Sequence, residues 1–170
     1  KIGDEIEIRP GFVSQDEKGN MKAQPIKTTV LSLQTEKSSL EEIVPGGLIA
    51  IGTNIDPFFT TKNKLSGSII GIPGKMPPIY SNIKINFGSI NNYVTKVDWK
   101  PKTNDIIHLT VKALHLKGRI TNLKKRTMDI KLSRPLPINE KDTVIICNEM
   151  NGLLTPVGKG TLKKGNIITN

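Results

Sequence analysis

The stretch Ile83-Lys84-Ile85-Asn86-Phe87 alternates apolar and polar residues without a break. Successive side chains of an extended strand point to opposite faces, so Ile83, Ile85 and Phe87 share one face while Lys84 and Asn86 share the other. The same alternation recurs at Ile107, Leu109 and Val111 and at Met128, Ile130 and Leu132. Each of these strands buries one face and wets the other, as antiparallel sheets do. Working outward, short β-type runs between turn signals lie at Glu5 to Ile8, Ile26 to Leu33, Leu48 to Ile51, Ser68 to Ile72, Ile79 to Phe87, Ile106 to Leu114 and Val144 to Cys147. No stretch sustains an apolar face of 3.6-residue period, and 15 Gly with 11 Pro in 170 residues is a high share for a helical chain. The sequence reads as all-β.

A break between modules is expected in Ile72-Pro-Gly-Lys-Met-Pro-Pro78, where three prolines in six residues remove backbone donors and fix an extended path. Charge shifts at the same place. Lys1 to Lys75 carries 9 basic and 9 acidic residues, whereas Met76 to Asn170 carries 16 basic and 6 acidic, so the whole net charge of +10 lies in the second part. Two consecutive antiparallel β-barrels, residues 1–75 and 76–170, are the economical architecture, since closure removes exposed strand edges. The first module has only four or five strands, and the chain opens directly on one of them. It is therefore expected to be a barrel incomplete at its N-terminus, the later part of a longer polypeptide.

Several chemistries find no support. No apolar run approaches the roughly 20 residues needed to span a bilayer, so no membrane partner is expected. Cys147 is the one cysteine, which rules out an internal disulfide and reads as a small buried hydrophobe in the Thr143-Val-Ile-Ile-Cys147 strand. His108 and His115 are seven residues apart, which on one strand puts them on opposite faces with no carboxylate-rich surroundings. No Gly-x-Ser-x-Gly elbow and no phosphate loop of the Gly-x-x-x-x-Gly-Lys-Ser/Thr type occurs. The expectation is a non-enzymatic chain with no cofactor or metal of its own.

Two segments carry more. From Lys112 to Arg134 eight basic residues face Asp129 alone, and Lys124-Lys125-Arg126 reads as a hairpin tip between the Arg119 to Asn122 and Met128 to Leu132 runs. Together with Lys117 and Arg119, these side chains suit phosphate contacts, which position a nucleic-acid backbone without reading its sequence. Aromatic residues are not interleaved with the basic ones, so base stacking is not expected there. The other segment is Val44-Pro-Gly-Gly-Leu-Ile-Ala-Ile-Gly-Thr-Asn-Ile-Asp-Pro57. Gly46 and Gly47 allow a sharp turn of positive φ, and Gly52 allows close approach of another backbone or a ligand.

That segment resembles the gamma subunit of eukaryotic and archaeal translation initiation factor 2. The likeness is carried by Lys1-Ile-Gly-Asp-Glu-Ile-Glu-Ile-Arg-Pro-Gly11, by Gln24-Pro-Ile26 leading to Val30-Leu-Ser-Leu33, by Val44 to Pro57, and by Leu65-Ser-Gly67, Gly71 and Gly74. It is strongest over Lys1 to Pro77. The second module keeps the family's general order of strands. Thr61 stands where the family usually has Arg or Lys, and Asn63 where it usually has Asp. At the C-terminal end Pro156-Val-Gly-Lys-Gly160 stands in place of the family's Gly-Trp-Gly strand, and the one Trp is Trp99.

The resemblance implies that residues 1–75 are the later part of a second, elongation-factor-like domain and residues 76–170 a third. A GTPase domain would precede Lys1, so GTP and Mg are expected of the full-length protein only. The implied partners are initiator methionyl-tRNA, the small ribosomal subunit, an alpha subunit docking on domain two, and a beta subunit on the GTPase domain, in the cytoplasm. Carried over by position, Asp16, Glu17, Lys18, Gly19 and Asn20 form the tip of the alpha-docking loop. Pro45, Gly46, Gly47, Gly52, Thr53, Asp56, Pro57 and Lys64 form the domain-two motif expected near the tRNA end. From the residues alone, two other readings stay open: an rRNA-binding barrel of the ribosome using the basic patch, or a scaffold that binds only protein.

Overall fold

The computed structural model describes residues 1–44, 46–90, 99–112 and 114–168. Two compact units divide the chain, one of residues 1–12 with 24–76 and one of residues 13–23 with 77–170. Strands dominate both, as the alternation requires.

The first unit is built on β1 (Glu5–Gln15) and β2 (Met21–Gln34), whose residues 13–15 and 21–23 are counted with the second unit, and on β3 (Ser39–Leu40), β4 (Ala50–Thr53) and β5 (Ile69–Gly71). They form one sheet in the order β3-β2-β1-β5, with β4 also paired to β2, and this sheet stays open. Its buried apolar side chains are Ile8, Ala23, Val30 and Leu33, while Leu31, Ile70 and Ile72 face solvent. A polar latch supplements that small core. Glu7, 2% exposed, accepts from Arg9 Nε at 2.6 Å and from the Gly74 amide at 3.1 Å, and Arg9 Nη1 donates to the Met76 carbonyl at 3.4 Å. The proline-bounded turn after β5 is thereby fastened to β1. Burial pushes the Glu7 carboxyl up, but the bonds from Arg9 and Gly74 outweigh it and hold the group below the usual carboxylate range.

The second unit contains β6 (Ile79–Ser89), β7 (Ile106–Val111), β8 (Leu114–Lys124), β9 (Thr127–Pro137), β10 (Thr143–Met150) and β11 (Leu153–Ile167). They close into an antiparallel barrel in the order β10-β11-β6-β9-β8-β7. The alternating residues line its interior: Ile83, Ile85, Ile107, Leu109, Val111, Met128, Ile130 and Leu132 are all buried, with Phe87 and Trp99 packed against the same core. Cys147 is buried in β10, and burial raises its thiol above the ordinary value. The chain is thus two consecutive β-barrels, the first open and the second closed.

Three features depart from the sequence reading. β11 is fifteen residues long although it holds Pro156, Gly158, Gly160 and Gly165. Pro156 falls at a register shift against β10, and at Gly160 an added Cβ would lie 2.5 Å from the Asn86 carbonyl oxygen, so these residues fit the strand rather than end it. The Ile106 to Leu114 run is not one strand: Lys112, at φ 54°, turns the chain between β7 and β8. His108 and His115 therefore lie on neighbouring strands instead of on opposite faces of one. Their rings stack at 5.1 Å, with His108 Nδ1 3.0 Å from His115 Nε2.

Candidate functional site

In the first unit, β4 delivers the chain to a corner at Asp56-Pro57. Gly52 sits opposite Ser32, and an added Cβ there would strike the Ser32 hydroxyl, so the close approach anticipated at Gly52 is to a side chain of β2. Gly46 and Gly47 adopt positive φ of 131° and 78° in an exposed turn, and Pro45 lies outside the described residues. The Asp56 carboxylate accepts from the Phe58 amide at 2.8 Å and starts a one-turn helix, α1 (Pro57–Thr60), with Pro57 at its first position. Thr53 Oγ1 lies 3.4 Å from the Ile55 amide just before the corner. Lys64 closes the turn. Its Nζ donates to the Phe58 carbonyl at 2.9 Å and stands 3.2 Å above the Phe58 ring.

This corner borders a depression of about 400 Å³ lined by Phe12, Gln24, Pro25, Ile26, Lys27, Thr28, Asn54, Ile55, Asp56 and Phe59. Phe59 meets both Phe12 and Phe58 edge-on at 5.6 Å, and Thr28 Oγ1 bonds Asn54 Oδ1 at 2.5 Å. Its lining thus combines the aromatic rings of Phe12 and Phe59 with the hydroxyl, amide and carboxylate groups of Thr28, Asn54 and Asp56. Of the eight expected motif residues, Asp56 lines the depression. The sequence reading missed Phe12, Phe59, Thr28 and Asn54. The available signal was that three of only four phenylalanines directly follow the two motif ends, Phe12 after Arg9-Pro10-Gly11 and Phe58 with Phe59 after Asp56-Pro57.

The second unit holds the expected alpha-docking tip. Asp16 accepts from the amides of Lys18 at 2.9 Å and Asn20 at 2.8 Å and from Asn20 Nδ2 at 3.0 Å. Gly19, at φ 77°, lets the loop turn back. The bonds from the Asn20 side chain and backbone lower the Asp16 carboxyl below its usual range. The tip is an ordered turn with Glu17, Lys18 and Asn20 exposed.

The basic residues sit where the hairpin reading puts them. β8 ends at Lys124 and β9 starts at Thr127, so Lys124, Lys125 and Arg126 make an exposed turn. Arg126 borders a depression of about 620 Å³ that Lys159 also lines. Lys117 and Arg119 project from the outer face of β8, where they and Lys131 of β9 line a smaller depression of about 310 Å³. Arg119 lies directly opposite Lys131 across the strand pair. The five cations thus belong to two places, a hairpin tip and a barrel wall. Beside the wall, His108 Nε2 lies 3.7 Å from Glu149 Oε2. Burial, then the Lys117 and His115 charges, hold the His108 imidazole below its ordinary value despite Glu149. Among the described residues no three His, Cys, Asp or Glu side chains converge on a point that could hold a metal ion.

A closed barrel with a cationic outer wall, preceded in sequence by an open antiparallel sheet with an aromatic-lined depression, makes this an all-β chain of two consecutive barrel modules. Residues 81–162 match the family model described as "Initiation factor eIF2 gamma, C terminal". The chain is 34% identical over 168 residues to the protein named "Translation initiation factor 2 subunit gamma" of Pyrococcus abyssi, a match covering 96% of this chain and 41% of that protein. Against the protein of the same name in Methanocaldococcus jannaschii the identity is 35%, covering 96% and 40%. Against the "Eukaryotic translation initiation factor 2 subunit 3" of Drosophila melanogaster it is 30%, covering 99% and 38%. The chain belongs to the family of the gamma subunit of translation initiation factor 2, and it spans about two fifths of the length of these relatives.

Proposed function

We propose that this chain supplies the C-terminal barrels of the GTP-dependent carrier that brings initiator methionyl-tRNA to the small ribosomal subunit. In this reading it works in the cytoplasm, without catalysis of its own, as part of a trimer with an alpha and a beta subunit. GTP, Mg and the beta subunit belong to a GTPase domain of the full-length protein. The observation that carries the reading is the depression beside Asp56-Pro57. The rings of Phe12 and Phe59 suit the face of a nucleobase, and Thr28, Asn54 and Asp56 suit ribose hydroxyls, which together are the chemistry of a tRNA 3′ end. The rigid tip at Asp16 to Asn20 is the surface for the alpha subunit. The cations at Lys117, Arg119, Lys124, Lys125 and Arg126 add attraction to RNA that is independent of sequence.

The test separates the two surfaces. In the full-length subunit, Phe12→Ala with Phe59→Ala should weaken initiator methionyl-tRNA binding at least tenfold and leave alpha-subunit binding unchanged. Asp16→Ala, which removes the tip's internal bonds, should do the reverse. Unchanged tRNA affinity in the double phenylalanine variant rejects the assignment of the depression.

A further inference from the structure

The outer wall of the closed barrel is hollowed where a barrel wall is ordinarily convex. The hollow, of about 390 Å³, lies across β11, β6 and β9 and is lined by Lys164, Asn166, Asn82, Lys84, Asp129 and Lys131, with Thr121 at its β8 border. Three interruptions of strand register surround it. On β11 the pairing jumps from Leu162 to Lys164 against β6 and leaves Lys163 over; on β8 it jumps from Ile120 to Asn122 against β9 and leaves Thr121 over; between β6 and β9 it breaks at Tyr80 and Asn82. Bulges bend a strand and re-aim its side chains. Here the β11 bulge sets Lys164 directly opposite Lys84, and Asn166 falls opposite Asn82. Gly165 between them has no room for a side chain: an added Cβ would lie 2.5 Å from the Asn82 carbonyl oxygen and 2.6 Å from the Tyr80 ring. β11 can therefore press close against β6 at the floor of the hollow.

The charges are unequal. Asp129 pairs with Lys84 at 3.1 Å and accepts from Asn122 Nδ2 at 3.0 Å, so both of its oxygens are engaged and Lys84 is held in place. Lys131 and Lys164 form no ion pair among the described residues. Three ammonium groups against one carboxylate leave two positive charges in a concave polar surface, which concentrates their field. The amides of Asn82 and Asn166 add neutral donors, and among the described residues no aromatic side chain lines the hollow. That set recognises a phosphate and offers a base nothing to stack on.

We propose that this hollow seats one phosphate of an RNA backbone, neutralised by Lys131 and Lys164 and oriented by Asn82 and Asn166. The identity of the polyanion rests on the translation-factor reading; the seat itself rests on the geometry. Lys131 also lines the depression that holds Lys117 and Arg119, so the seat extends the cationic wall across β8, β9, β6 and β11.

The test uses the chain with Lys131→Gln and Lys164→Gln together, two exposed positions whose exchange leaves the barrel core untouched. Loss of one phosphate contact should flatten the log affinity against log salt slope by about 0.7 to 0.9, equally for unrelated RNA sequences. Inorganic phosphate should shift the amide resonances of Asn82, Gly165 and Asn166 in the parent chain and leave them unmoved in the double variant. An unchanged RNA slope in a folded double variant overturns the proposal, as does the absence of phosphate shifts in the parent. Phosphate shifts in a parent chain that ignores RNA overturn the RNA assignment in favour of a free-phosphate site. The initiator-tRNA reading fails on different evidence, through the phenylalanine pair of the other unit.

Discussion

The two units solve the same problem, how an antiparallel sheet buries its apolar face, in different ways. Among the described residues the closed barrel gathers 18 buried side chains into one core, and each of its strands β6 to β11 pairs with two neighbours. In the open sheet four apolar side chains are buried among the described residues, several others face solvent, and a charged latch at Glu7 supplements them. Closure makes stability a collective property of the wall. Without closure, stability depends on a few particular bonds.

The largest effects should therefore come from the barrel core. Ile130→Ala removes a fully buried side chain and should cost the barrel about 3 to 5 kcal/mol, read from amide exchange of β8 and β9. Ile70→Ala, at a half-exposed position of the open sheet, should change its stability by no more than about 0.5 kcal/mol. Equal losses at the two positions would break the contrast. A pair of glycines sharpens it: Gly160→Ala meets the Asn86 backbone and should cost about 1 to 3 kcal/mol, whereas Gly52→Ala meets the Ser32 side chain, which can rotate away, and should cost less.

Next in size is the latch. Glu7→Ala leaves Arg9 and the Gly74 amide without their carboxylate and should cost the open sheet about 1 to 3 kcal/mol by denaturant titration. Acid should act on the two units in different ranges. His108 sits below its ordinary 6.5 in the folded barrel, so its neutral form favours folding; that stability is complete above 6.5 and is lost as the pH falls below it toward the folded-state value. Glu7 sits below its ordinary 4.5, so its contribution survives to that pH and fades only as the pH falls through the lower folded-state value. Amide exchange against pH should show the barrel loosening first, and His108→Gln should remove that early phase. An early phase that persists in the variant would reassign it to other groups.

What the sequence disclosed follows from the same contrast. Strands with one face in the barrel core announce themselves by period-two alternation, and the Lys124-Lys125-Arg126 tip follows from its two flanking runs. β11 stayed hidden because its Pro and Gly residues, ordinarily strand breakers, occupy a register shift and close backbone approaches that only the neighbouring strands reveal. The stacked histidines were misplaced because a positive-φ turn at Lys112 leaves no glycine or proline in the sequence to mark it. Phe12 and Phe59 meet across 47 positions of sequence, so no local pattern could pair them. The hollow between β11, β6 and β9 was invisible for the related reason that bulges, and not composition, align its lysines.

The smallest stability effect should come from the hairpin tip, where it separates charge from fold most cleanly. Lys124, Lys125 and Arg126 are exposed and none forms an ion pair among the described residues, so replacing all three with Gln should shift barrel stability by no more than about 0.5 kcal/mol. The Arg126 carbonyl, which accepts from the Phe87 amide at 3.0 Å, belongs to the backbone and survives the exchange. RNA affinity should nonetheless fall, with a salt slope flatter by about 0.7 to 0.9 for each phosphate the tip contacts. An unchanged slope would make the tip a solubilising turn and leave the barrel wall as the unit's RNA-facing surface. A large loss of stability would mean that the tip, like the latch of the open sheet, holds its unit together through specific bonds, and the contrast between the two units would fail at this point.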